Sequence, residues 1–165
     1  MTKPVVLPHY DLNRDTIALI PATHLDYSTI VWERNQILYV RKTPIQLIKS
    51  GCLEGGAEYS GRRTAVTYKT GIQNKIPIPI NPHEQIYAFP THSPKLFDCI
   101  WIFYHHIKTI KRHPQNPTNS IITFTNYQKL TLNVSYHTLE KQVQRTSYCI
   151  VRFSHHEQPN LCQLN

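Results

Sequence analysis

TIALIPA (16–22), STIVWER (28–34) and QILYVRK (36–42) decide the fold class. Each is a short run rich in β-branched and aromatic residues, and Asn35 supplies a tight connection between the second and third. They predict consecutive strands. The 12 prolines spread along the 165 residues argue against a helical bundle.

Working outward, TPIQLIKSG (43–51) changes character and predicts a helix. Thr43 can cap it, Pro44 suits its first turn, Ile45 and Ile48 share a face, and Gly51 can close it. SGRRTAVTYKTG (60–71) is ambiguous. Ser60 offers a cap and Gly71 a stop, whereas Thr64, Val66, Thr67 and Thr70 resist helix, and a short helix is the preferred reading over a strand. IPIPI (76–80) alternates proline with isoleucine and suits an edge strand or an extended crossing. IYAFP (86–90) reads as a strand ended by the loop THSPKLFD, and CIWIFYHHIKTIK (99–111) as one long core strand. After the loop PQNPTN (114–119), IITFTNYQKLTLNVS (121–135) reads as a hairpin turning near Asn126 and Tyr127. Leu139, Val143, Thr146, Ile150 and Phe153 then recur at helical spacing, with Ser135 or Thr138 as N-cap. The sum is an α+β fold: a mostly antiparallel β-sheet domain with short helices and one longer C-terminal helix. Residues 1–153 are expected to form one domain and 154–165 a flexible tail.

The net charge of +8 is unevenly spread. Residues 1–33 are mildly acidic, residues 34–153 strongly basic, and the tail adds only Glu157. A basic body suggests nucleic acid or another anionic surface as partner. No apolar run reaches the ~20 residues of a membrane span, and MTKPVVLPHYDLN does not read as a secretory signal. A cytoplasmic protein is expected, with Cys52, Cys99, Cys149 and Cys162 as reduced thiols, since they form no CxxC pair.

All the glycines lie between Gly51 and Gly71, within the most basic stretch. Glycine lets a backbone approach a surface closely, and arginine is drawn into the narrow, electronegative minor groove of A·T-rich DNA. Arg62 and Arg63 beside Gly61, with Lys49, Lys69 and Lys75 to neutralise phosphates, are therefore the candidate DNA contacts. The competing reading is a solvated segment whose arginines pair with Glu54 and Glu58. Lys141, Arg145 and Arg152 form a second basic face on the C-terminal helix, better explained by solvation. Lys108, Lys111 and Arg112 read as solvated edge charges.

Metal and catalytic chemistry find little support. Cys149, His155, His156 and Cys162 lack the paired spacing of a zinc site, and adjacent His105 and His106 on a strand would face opposite ways. Asp98 beside Cys99 matches no nucleophile arrangement. There is no P-loop, GxGxxG, GxSxG or HExxH, and the scattered acids suit no two-metal nuclease. No cofactor, metal or catalytic residue is assigned.

Six short motifs stand in order: Y-x-G-R (Tyr59, Gly61, Arg62) with Lys75; P-x-x-Q-I (Pro82, Gln85, Ile86); F-P-T (Phe89, Pro90, Thr91) with Ser93; C-x-W-I (Cys99, Trp101, Ile102) with His106; S-Y (Ser135, Tyr136); and Q-V-x-R-T (Gln142, Val143, Arg145, Thr146). Over Ile37 to Phe153 the chain resembles the ComK family, the competence transcription factors of Firmicutes. The resemblance implies a non-enzymatic transcription activator that recognises paired A·T-rich promoter boxes through the minor groove, as an oligomer (dimer or tetramer), and works with RNA polymerase. It carries DNA contact onto Arg62, Arg63 and Lys75. Longer members continue into a C-terminal tail that this chain does not match after Phe153, which leaves recognition by a Clp-protease adaptor doubtful. The rival readings are a metal-dependent nucleic-acid hydrolase and a non-catalytic protein-interaction module.

Overall fold

Residues 3–154 are described in the computed structural model. The three opening strands form as expected: β2 (Thr16–Pro21), β3 (Thr29–Glu33) and β4 (Ile37–Val40) pair antiparallel in sequence. A short β1 (Val6–Leu7) runs parallel to β4. Helices α1 (Pro44–Glu54) and α2 (Tyr59–Thr70) follow. The chain then returns through β5 (Ile78–Asn81), β6 (Ile86–Pro90) and β7 (Trp101–Phe103). Together these strands make a seven-stranded sheet in the order β1-β4-β3-β2-β7-β6-β5. A smaller antiparallel sheet contains β8 (Ile107–Arg112), β9 (Ser120–Phe124) and β10 (Lys129–Leu132), in the order β10-β9-β8. Helix α3 (Tyr136–Ser154) closes the described chain. The α+β class read from the sequence holds.

Side chains that alternate along the central strands feed two different cores. Leu19, Ala88, Trp101 and Phe103 face α1 and α2, packing with Leu47, Ile48, Cys52 and Val66. Ala18, Phe89 and Ile102 face the small sheet, packing with Ile122, Phe124 and Leu132. The large sheet is thus buried on both faces, and each fully buried Phe or Leu on it contributes ~1.5–3 kcal/mol of apolar transfer. Helix α3 spans both cores, placing Leu139 in the second and Cys149 in the first.

The edge reading of IPIPI is correct, because β5 ends the sheet order and its Pro79 removes a ladder donor. The hairpin also turns where expected, with Tyr127 in the left-handed region (φ 69°). α2 is a helix, stopped by Gly71 at φ 79°. Its N-cap is Glu58 rather than Ser60, and no side chain caps it.

Three expectations are corrected. Gly51 does not end α1; the helix continues to a C-cap at Gly55. Gly51 is needed for packing instead, since a Cβ there would lie 2.7 Å from Leu12 Cδ1. CIWIFYHHIKTIK is not one strand. A 3-10 turn at Tyr104–His106 moves the chain from the large sheet into the small one, and His106 Nε2 meets the Arg14 carbonyl at 2.6 Å. The apolar WIF is buried between two layers, whereas IKTIKR has only one covered face. Finally, the buried stripe of α3 is Leu139, Gln142, Thr146 and Cys149, so it includes two polar residues and passes beside Ile150.

Candidate nucleic-acid interface

Thr43 and Gln46 form a reciprocal capping box that fixes the start of α1, with Pro44 in the first turn. The far end of α1 turns into α2 over Gly55–Glu58. Gly55 sits against β5 so closely that a Cβ would fall 2.3 Å from the Ile80 carbonyl oxygen, and Gly56 takes φ 96°. The two helices therefore meet in a tight corner that no bulkier residues would allow.

Arg62 and Arg63 are neighbours in sequence but point differently, because successive residues on a helix are rotated by about 100°. Arg62 is half-buried. Its Nη2 donates to the Gly55 carbonyl at 2.9 Å, and its Nε is buried with no partner. Arg63 is exposed, with its guanidinium carbon 5.7 Å from the Tyr59 ring centroid. Lys49 of α1 approaches the same ring at 5.9 Å. Burial raises the Tyr59 hydroxyl above its ordinary pKa, with Arg63 opposing that rise. One aromatic ring thus gathers a cation from each helix.

Beside this pair runs an open helix face of Ser60, Gly61, Thr64 and Tyr68, the last of them 89% exposed. A Cβ at Gly61 would meet nothing within 4 Å. No packing requirement explains a glycine there.

The remaining cations are drawn together by α3. Arg152 Nε donates to the Lys69 carbonyl at 3.0 Å, and Lys69 Nζ lies 5.3 Å from the Phe153 ring centroid. Arg145 Nη2 donates to the Asn74 carbonyl at 2.6 Å, and Gln142 Nε2 to the Lys75 carbonyl at 3.0 Å. Lys75 of the first basic group and Lys141 and Arg145 of the second therefore border one groove of about 550 Å³. Burial holds the Arg145 guanidinium below its ordinary pKa. Lys49, Gly61, Arg62 and Arg63 belong to the other corner. Lys69 and Arg152 hold α2 to α3 between the two.

Sequence reasoning missed Gln142 as the organiser of this region. Its signal was a polar residue on the apolar stripe of an amphipathic helix, one turn from an arginine.

The expected competitor for the arginines, pairing with Glu54 and Glu58, is not found among the described residues. The ion pairs there are His9–Asp11, Arg14–Glu84, His24–Asp26 and Arg34–Asp15. None involves Lys49, Arg62, Arg63, Lys75, Lys141 or Arg145. Among the described residues, no group of three or more His, Cys, Asp or Glu is placed to hold a metal ion. His155, His156 and Cys162 lie outside the described residues. Cys99 is buried and its thiol is pushed up to about 11 by desolvation, which is the wrong direction for a nucleophile. No described helix is long and apolar enough to cross a membrane.

A family model described as ComK protein matches residues 7–158. The competence transcription factor of Bacillus subtilis (strain 168) is 33% identical over 149 residues, which cover 89% of this chain and 76% of that protein. No solved structure matches the chain.

Proposed function

The chain belongs to the ComK family, and from that premise we propose that it is a cytoplasmic transcription activator for DNA-uptake genes. It binds A·T-rich promoter DNA through the minor groove, as an oligomer acting with RNA polymerase. The observation that carries the reading is the α1–α2 corner. There Lys49 and Arg63 gather on Tyr59 beside the empty space over Gly61, without a carboxylate in the ion pairs described.

Each part has a physical role. Gly61 allows the α2 backbone to approach a sugar-phosphate wall that a side chain would hold off. Arg63 is the exposed guanidinium available to enter a narrow groove, and Lys49 neutralises a phosphate. Arg62 acts as a positioning residue: by bonding the Gly55 carbonyl it fixes the corner that aims Arg63 and Lys49. Most of the affinity then comes from counterion release and falls steeply with salt. Sequence preference comes from groove width and bendability rather than from reading base edges.

The test is a competition gel shift with the full chain. Paired A·T tracts should compete far better than a G·C-rich duplex of equal length, and a minor-groove-blocking drug should abolish the shift. Equal competition by both duplexes, or indifference to the drug, overturns the minor-groove reading. Absence of duplex binding at low salt overturns the DNA reading as a whole.

A further inference from the structure

The groove between α3 and the Thr70–Lys75 segment is separate from the α1–α2 corner, and we infer that it is a phosphate-binding site built by Lys75, Lys141, Arg145 and His137. That the phosphate is a DNA phosphodiester rests on the reading above; the phosphate chemistry itself does not.

Four side chains able to carry positive charge line this opening of about 550 Å³, and no carboxylate does. Arg145 is the centre. Its guanidinium is held in place by Gln142 Oε1 (2.7 Å) and the Asn74 carbonyl (2.6 Å), which leaves further N–H donors directed elsewhere. A half-buried guanidinium with neutral partners only is an incomplete arrangement, because burial of a cation favours an anionic partner and none is described. Planar guanidinium forks match phosphate oxygens, and lysines complete such sites as mobile point charges.

The wall opposite α3 is equally fixed. Lys75 adopts φ 46°, a left-handed conformation that only over-determined surroundings sustain for a residue with a side chain. Gln142 Nε2 provides that constraint through the Lys75 carbonyl. The Lys75 backbone and the Arg145 guanidinium are thus fixed before any ligand arrives, while exposed Lys141 and His137 sit at the rim. A preorganised pocket with a mobile cationic rim is how a phosphate is held without a large ordering cost.

Two sources can supply the phosphate: the backbone of bound DNA or a small free phosphate. The rim residue Lys141 is the probe, since it makes none of the hydrogen bonds that hold α3. In the first arm, binding to an A·T-rich duplex is measured against salt for the wild type, Lys141→Ala and Lys141→Arg. A DNA phosphate predicts that Lys141→Ala lowers the slope of log K against log salt by about one and that Lys141→Arg restores it. In the second arm, inorganic phosphate is titrated into DNA-free protein and followed by phosphorus NMR, with Lys141→Glu and Arg63→Ala as comparisons. A small-phosphate site predicts saturable broadening that Lys141→Glu abolishes and Arg63→Ala leaves intact.

Either result supports the groove, and the second stands even if the protein binds no DNA. An unchanged salt slope together with phosphate signals indifferent to Lys141→Glu overturns the inference.

Discussion

The guanidinium of Arg145 donates to the side-chain oxygen of Gln142 at 2.7 Å, one turn away on α3. The other end of that amide donates to the Lys75 and Pro90 carbonyls, each at 3.0 Å. Gln142 is only 2% exposed, so every polar atom of its amide is satisfied inside the protein. It joins α3 to the end of β6 and to the segment leading into β5.

Replacing Gln142 by Leu keeps the volume but strips three partners from buried or half-buried groups. The expected loss is about 1–3 kcal/mol, the cost of leaving such groups unsatisfied. Gln142→Glu is expected to do no better, because it sets an acceptor against two carbonyls. Urea titrations check this; a Gln142→Leu stability within ~0.5 kcal/mol of wild type would show the network to be dispensable.

Gly61 and Gly55 should respond oppositely to the same substitution. Gly61→Ala adds a methyl to open space in a helix and is expected to stabilise by roughly 0.5–1 kcal/mol. It should nevertheless weaken A·T-duplex binding if the backbone approaches DNA there. Gly55→Ala would push a Cβ to 2.3 Å from the Ile80 carbonyl oxygen, where backbone must move. A loss of about 1–3 kcal/mol is expected, as for overpacking. Denaturation paired with gel shifts separates the two, and a Gly61→Ala protein that binds normally removes the role proposed for that glycine.

Adjacent arginines should also separate. Arg62→Ala breaks the bond to Gly55 and is expected to lower stability by roughly 1 kcal/mol, its partial exposure reducing the value of a charged hydrogen bond. Arg62→Lys should not restore it, since an ammonium lacks the fork geometry. Arg63→Ala should leave stability within ~0.5 kcal/mol and reduce the DNA salt slope by about one. If Arg62→Ala is fully stable and Arg63→Ala fully active, the division of labour argued from the corner is wrong.

How far the sequence revealed all this depended on whether the signal was local. The meander β2–β3–β4, the cap at Thr43 and the stop at Gly71 rest on propensities and turn chemistry within a few residues, and all were legible. The break at Tyr104–His106 was not, since it exists because a second sheet covers the opposite face of β7. Gly51 looked like a terminus and is a close approach to Leu12, which is distant in the sequence. In the site, the basic stretch was legible as composition. The different aims of Arg62 and Arg63, and the meeting of Lys75 with Lys141 and Arg145, depend on helix phase and on how α3 docks. No local pattern encodes either.

The thiols give an independent check on the core. Burial pushes Cys52 and Cys99 up to about 11 and Cys149 to about 12, so all three are neutral at physiological pH and shielded from reagents. In a Cys162→Ser variant, Ellman's reagent at pH 8 should find essentially no reactive thiol in the native protein and all three after denaturation. Rapid labelling of any one under native conditions would contradict the packing described.

The acid stability of the protein should centre on Glu33. Burial pushes its carboxyl up, but Tyr10 Oη, Gln36 Nε2 (2.7 Å) and Asn13 Nδ2 (3.3 Å) donate to it and outweigh that effect, so its pKa lies below the ordinary value. A carboxyl depressed in the folded state stabilises the fold above the unfolded pKa, near ~4.3. That contribution disappears as pH falls through the folded value, because the unfolded chain takes up the proton first. Tyr10→Phe deletes one of the three donors and should move the acid-unfolding midpoint to higher pH. Glu33→Gln should flatten the limb, since nothing remains there to titrate. The consequence reaches the site: Leu12, two residues from Tyr10, packs against Gly51 of α1, so a loosened 10–13 segment loosens the helix that carries Lys49. Carboxyl-carbon NMR of Glu33 with acid titrations of both variants settles the matter. A Glu33 titration at or above the ordinary carboxylate range would remove this segment from the acid response.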